Sequence, residues 1–292
     1  MPSFVDRYAA IAFKTFGGFS KSIKSYFSNI QEDLQKASIK YTLEEYLSMA
    51  VFTIVVFFFI ENIVFAFIFG LLGFSPLTSV FLGFTLSTTA SGFIFFLFYS
   101  YPITMAKTRE SKIVKVMPFA ISYLATMSSS KLPPALAFKT LSKFKEYGEI
   151  SRECGEIVQS MESFGMSFSN AIKRQAKRTP SREFRDLLYG IDNVVVSGGD
   201  LTSYLAQKSD GLMNDYRRRI RKYAQDLSLF MEIYLTLIIT GSIFFIILSS
   251  IVASLSGGLG TVSLQTFIVF ILIPLISVGF ILLVKSISPV EE

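Results

Sequence analysis

The chain has 292 residues, 51% of them hydrophobic and only 17% charged, with 28 Lys and Arg against 22 Asp and Glu for a net charge of +6. That balance is too apolar for an ordinary soluble domain. With no His and one cysteine, Cys154, the chain lacks a Cys–His nucleophile, the usual zinc ligands and any intramolecular disulfide. No cofactor and no metal is implied, and the chain reads as a non-enzyme.

Residues 1–46 form an N-terminal region charged throughout, which does not read as a cleavable signal. Within it Phe4, Tyr8, Ile11, Ala12, Thr15, Phe16 and Phe19 recur at helical spacing. The pattern fits an amphipathic helix, lying in the bilayer interface or packed on the cytoplasmic body. Gly17-Gly18 should break it, and a second charged helix covers about 21–38. Thr42-Leu43-Glu44-Glu45 reads as a capping box opening the next helix.

Four apolar runs follow, two within 47–101 (47–74 and 77–101) and two within 229–285 (229–254 and 264–285). Spanning a hydrocarbon core takes about 20 helical residues, so each run reads as a transmembrane helix. Trp is absent, which leaves interfacial aromatic anchoring to Tyr and Phe. Lys and Arg set the orientation. Six lie in 1–46, 21 in 102–228 and the last is Lys285, while the connectors Gly73–Pro76 and Leu255–Gln265 hold none. Basic segments stay on the cytoplasmic side, which puts both termini, the tail 286–292 and the insert there. Two carboxylates, Glu61 and Glu232, fall inside or near the apolar runs. An intramembrane ionisable group is costly; Glu232 can reach water near the cytoplasmic end, and the first run either carries Glu61 or breaks there. Gly83, Ser87, Ser91 and Gly92 in the second run, and Ser277 and Gly279 in the fourth, suit close helix packing.

The insert, 102–228, holds 21 basic and 13 acidic residues, a surplus of +8. Its punctuation is helical. Pro118 fits the first turn of a helix through about Met127. Pro133-Pro134 opens a second helix ending near Tyr147-Gly148, a third covers about 149–163 and a fourth about 167–178. Pro180-Ser181 opens a fifth, and Ser197-Gly198-Gly199-Asp200 ends it and caps a sixth. No strand alternation occurs, so the expected fold is all-α: four transmembrane helices and a cytoplasmic six-helix bundle. Helix-opening segments at Leu132, Phe168 and Leu201 lie 36 and 33 residues apart, a weak echo of stacked hairpins.

This order of segments resembles the type II secretion system F-domain family, in its archaeal and Tad-type branch of pilus, archaellum and secretion platform proteins. The residues carrying the resemblance are Leu34-Gln35-Lys36-Ala37-Ser38-Ile39, Thr42 to Ser48, Met117-Pro118, and Ser197 to Leu201 leading to Leu205. One turn departs from it: Ser129-Ser130-Lys131-Leu132-Pro133 stands where the family often has a Ser-Gly-x-Pro-like turn. The resemblance implies a non-enzymatic membrane platform, with a cytoplasmic secretion ATPase docked below it and pilin-like subunits added to a filament above. Many archaellum-type members carry two such domains, which implies pairing with itself or a paralogous platform subunit. The sequence agrees in having no phosphate-cradling Gly-x-x-x-x-Gly-Lys loop.

Two basic clusters complete the reading. Lys173, Arg174, Lys177 and Arg178, continuing to Arg182 and Arg185, are far in sequence from any span and fit a docking surface for an acidic patch on the ATPase, or a solvated face. Arg217, Arg218, Arg219, Arg221 and Lys222 precede the third run and fit contact with anionic headgroups of the lipid bilayer, or with the ATPase. No recognition fold for nucleic acid accompanies this charge. The alternative function is a transporter or channel subunit with a large cytoplasmic regulatory domain. That would call for polar residues recurring through the spans and helices broken at mid-depth.

Overall fold

A computed structural model describes residues 4–256, 263 and 266–287. Among them every regular element is helical. They divide into two compact units, Met1–Ser209 and Asp210–Glu292, at a boundary inside one helix.

The first unit opens with α1 (Phe4–Ile23), a 3-10 turn (Lys24–Phe27) and α2 (Ser28–Lys36). Contrary to the sequence expectation, Gly17-Gly18 does not break α1. A helical glycine costs about 1 kcal/mol, and burial offsets it here, because α1 lays Ala9, Ala12, Gly17 and Ser20 against α3 (Leu43–Leu71). The Tyr8 and Phe16 rings meet Phe52 edge-on, and the Ser20 and Ser48 hydroxyls are 2.8 Å apart. Phe4, Ile11 and Phe19 are left exposed. The turn after α2 places Ser38 at φ 55°, with the Ile39 amide donating to the Leu34 carbonyl. The capping box is formed as expected: the Glu45 amide donates to Thr42 Oγ1 and the Thr42 amide to the Glu45 carboxylate.

Helix α3 pairs with α4 (Pro76–Ser129). The two backbones approach closely at Gly83, where a Cβ would lie 3.1 Å from the Ala66 nitrogen and 3.3 Å from the Asn62 oxygen. Ser79, Ser87 and Ser91 continue that buried stripe of small residues. At 54 residues, α4 is about 80 Å long. Its length corrects the expectation that Pro118 starts a helix: both Pro102 and Pro118 lie inside α4, and both are buried. A helix-interior proline frees the carbonyl four residues earlier. For Pro102 that carbonyl belongs to Phe98, and it accepts the Tyr46 hydroxyl at 2.7 Å. The donor comes from α3, so the proline's defect becomes a tie between the two helices.

Four short helices follow: α5 (Pro134–Leu141), α6 (Gly148–Glu162), α7 (Phe168–Arg178) and α8 (Arg182–Ser197). Helix α5 stops at Leu141 rather than near Tyr147, and a 3-10 turn at Lys145–Tyr147 bridges to α6. The sixth expected helix is the start of α9 (Leu201–Tyr234). The insert is thus four short helices between the ends of two long ones, not six separate pieces. Ile113, Met117, Ile121 and Leu124 of α4, Phe138 and Leu141 of α5, Ile150 and Ile157 of α6, Ile172 of α7 and Phe184, Leu188 and Ile191 of α8 are fully buried.

The second unit takes α9 through a π-helical stretch (Leu235–Thr240) into α10 (Gly241–Ser256), and ends with a second π stretch (Ile268–Leu272) and α11 (Ile273–Ile287). The Tyr234 ring stacks on Phe280 and its hydroxyl lies 2.9 Å from that of Ser277. Among the described residues three helices are long and apolar enough to cross a membrane: Leu43–Leu71, Pro76–Ser129 and Leu201–Val252. The fourth expected span contains a shorter apolar helix, Val269–Lys285. Most of the connector Leu255–Gln265, and residues 288–292 of the tail, lie outside the described residues.

Candidate docking surface and its buried hub

The first basic cluster sits on α7 and α8, each started by a serine that accepts a backbone amide: Ser167 from Asn170 and Ser181 from Phe184. The structure splits this cluster. The Lys173 ammonium lies 3.1 Å from the carboxylate of Asp192, which is itself buried on α8 and also accepts from the Ser169 hydroxyl. The Arg174 guanidinium stands 5.4 Å over the Phe164 ring. Arg185 donates to the Thr179 carbonyl at 3.1 Å, which fixes the α7–α8 turn. Lys177, Arg178 and Arg182 remain exposed. Half of the cluster therefore holds its own domain together and half faces outward.

The second cluster lies along α9. Arg217, Arg218, Arg219, Arg221 and Lys222 are all exposed, with Arg218 paired to Asp215 one turn earlier. The turn before α9 ends α8 with Gly198 at φ 69°, a left-handed conformation that favours glycine, followed by Gly199. Asp200 then accepts the Thr202 amide at 2.9 Å. Glu232 is exposed near the end of α9. Glu61 is mid-helix in α3, which runs on unbroken to Leu71, and one of its carboxylate oxygens is buried without a hydrogen-bond partner. That removes the reading in which the first apolar run breaks at Glu61.

A buried charge cluster centred on Arg109 was not among the sequence candidates. Arg109 of α4 is 4% exposed, and its guanidinium is spent on two other helices, α6 and α2. Nε donates to Glu149 at 2.8 Å and Nη2 to Glu153 at 3.0 Å, both on α6, while Nη1 donates to the Lys36 carbonyl at the end of α2. Gln175 of α7 donates to the other oxygen of Glu153 at 2.5 Å. Four helices thus meet at the Arg109–Glu153 pair. Burial pushes the Glu153 carboxyl above the usual carboxylate range, and the Gln175 hydrogen bond and the Arg109 charge offset this only in part. The neighbouring Cys154 thiol is pushed up by burial and then by the charge of Glu153, which makes it an inert core residue. The signal for the hub was present in the sequence. Pro102, Ala106, Arg109, Ile113, Met117, Ala120 and Leu124 recur every three or four residues, so Arg109 occupies a core position of an otherwise apolar stripe. Among the described residues no group of three His, Cys, Asp or Glu is placed to hold a metal ion.

By its fold the chain is an all-helical, multi-pass membrane protein whose long apolar helices carry a polar helical domain. Residues 120–249 match the family described as Type II secretion system (T2SS), protein F. The match begins inside α4 and ends inside α10. An uncharacterized protein of Methanocaldococcus jannaschii is 25% identical over 197 residues, 65% of this chain and 33% of the relative. Flagella accessory protein J of the same organism is 28% identical over 153 residues, 52% of this chain and 27% of that protein. The protein of that name from Methanococcus voltae is 26% identical over 145 residues, 49% of this chain and 26% of its own length. The chain therefore spans a quarter to a third of the length of these relatives. No solved structure matches it.

Proposed function

We propose that this chain is a non-enzymatic platform protein of the cell membrane, of the pilus, archaellum or type II secretion kind. Its polar domain faces the cytoplasm and couples an assembly ATPase to the addition of pilin-like subunits. The family match and the relatives named flagella accessory protein J support the class. The observation that carries the coupling is α4, one helix of 54 residues that belongs at one end to the apolar hairpin and at the other to the polar domain. A force on the domain has no loop to bend before it reaches that hairpin. The Arg109 hub strengthens the connection, since it ties α2, α6 and α7 to α4 just past the end of the apolar run.

In this reading the ATPase meets Lys177 and Arg182 of the outward half of the first cluster, together with the exposed Arg217 to Lys222. Orientation of encounter by complementary charge needs such a surface. The test is co-purification of the cognate secretion ATPase with the wild-type chain and with a Lys177→Glu, Arg182→Glu double variant. Binding should fall at least about tenfold in the variant and weaken with added salt. Equal recovery at physiological salt would remove the docking assignment. A Lys173→Glu change does not serve, because it also breaks the pair with Asp192.

A further inference from the structure

Two cavities of the first unit share a wall, and together they have the shape of an amphiphile. The apolar one, of about 400 Å³, is bounded by Tyr46 and Met49 of α3, by Leu97, Phe98 and Tyr101 of α4, and by Val5 of α1. The α3 and α4 residues among them sit at the ends of the first two apolar runs, where a membrane helix leaves the hydrocarbon. The polar one, also about 400 Å³, has Lys24, Lys40, Glu44 and Arg178 in its lining. Ile39 and Tyr41 line both. The Tyr41 hydroxyl donates to Asp6 at 3.1 Å, which holds the dividing ring in place.

The charges of the polar cleft are unevenly spent. Lys24 is paired with Glu44 at 2.8 Å, so that couple is neutral. Lys40 and Arg178 are exposed and pair with no carboxylate among the described residues, so the cleft keeps two cations to offer. Arg178 reaches it from α7 and Lys40 from the α2–α3 turn. The cleft is thus built jointly by the polar domain and the membrane-entry segment. Each cavity falls within the roughly 300–1,000 Å³ typical of small-molecule sites. Basic pockets beside transmembrane helices on the cytoplasmic side suit anionic lipid headgroups.

We infer that an anionic phospholipid binds here, its phosphate between Lys40 and Arg178 and an acyl chain in the cavity walled by Tyr46, Met49 and Leu97. A bilayer supplies the ligand at this depth. The exposed Phe4, Ile11 and Phe19 of α1 suit the same environment, since they lie on the side of that helix away from α3. A lipid seated so bridges α7 to α3 and α4 from outside, while Arg109, through Glu153 and Gln175, ties α7 to α4 from inside. The inference rests on the membrane character of the chain and not on its docking to an ATPase.

The test uses the full chain purified in detergent and stripped of lipid, with no ATPase present. Native mass spectrometry and thermal unfolding are read on adding phosphatidylglycerol, phosphatidylcholine or glycerol phosphate. A single phosphatidylglycerol should be retained and should raise the unfolding temperature, with phosphatidylcholine bound at least about tenfold more weakly. Lys40→Glu with Arg178→Glu should abolish the preference for phosphatidylglycerol. Leu97→Trp, a change at an exposed position that fills the cavity, should weaken both lipids alike. The assignment is overturned if the two lipids bind equally to the wild type, if the variants bind as the wild type does, or if glycerol phosphate binds as well as the whole lipid.

Discussion

Arg109 and the α7–α8 cluster hold the same kind of charge in opposite ways. Arg109 is alone in its surroundings, 4% exposed, and every edge of its guanidinium is occupied. Around Lys173 to Arg185 six cations crowd two short helices, and three of them, Lys177, Arg178 and Arg182, are exposed with no carboxylate partner among the described residues. Density of charge in the sequence marks a surface. A single charge inside an apolar stripe marks a joint, and removing one partner of a buried pair is far costlier than removing an exposed charge.

The largest expected effect follows directly. Arg109→Met leaves Glu153 buried with only Gln175 beside it and frees the Lys36 carbonyl. The loss should be about 3–5 kcal/mol in denaturant unfolding of the detergent-solubilised chain. Adding Glu153→Gln to that variant should recover part of it. A full additive loss in the double variant would mean that the pair is not coupled. Because burial raises the Glu153 pKa, the native state holds that proton more tightly than the unfolded chain. Its stabilising share is complete below the ordinary carboxylate pKa and is lost as pH rises through the raised native value. Glu153→Gln should flatten that decline, and an unchanged pH profile would assign it elsewhere.

Lys173 belongs with Arg109 rather than with its neighbours in sequence. Lys173→Met strands the buried Asp192 carboxylate on a single hydroxyl, at a cost of about 1.5–3 kcal/mol. Asp192→Asn in the same chain should restore most of that in thermal unfolding.

Three of the four apolar runs, the capping box and most helix starts of the insert were legible because each is written in local chemistry: run length, Ser, Thr or Asp at an N-cap, Gly at a C-cap. What escaped was long-range. Pro118 reads as a helix start on its own, yet Met117, Ala120, Ile121 and Leu124 around it are buried where α4 packs on α5, α6 and α8, and that burial carries the helix through. Gly17-Gly18 escaped for the same reason, its partner α3 being some 30 residues on. The basic clusters were found as charge, but which of their members are spent internally depends on Asp192 and Phe164, and composition does not show that pairing.

A smaller effect comes from the departure noted in the Ser129–Pro133 turn. Lys131 sits at φ 57°, where a side chain is strained by about 1–2 kcal/mol and glycine is not. Glycine gains more freedom in the unfolded chain, so Lys131→Gly should stabilise by about 0.5–1 kcal/mol. A destabilisation would mean that the Lys131 side chain contributes more than its backbone costs.

The smallest effect is the sharpest test of the opening contrast. Lys177→Glu with Arg182→Glu touches two exposed cations with no carboxylate partner among the described residues, and should shift stability by no more than about 0.5 kcal/mol. Set beside the losses at Arg109 and Lys173, a near-zero value separates the cations that hold the domain together from those free to meet a partner. If the double variant unfolded as easily as Lys173→Met, these cations would be structural too. The cluster would then have no outward half, and the docking surface would have to be sought on α9.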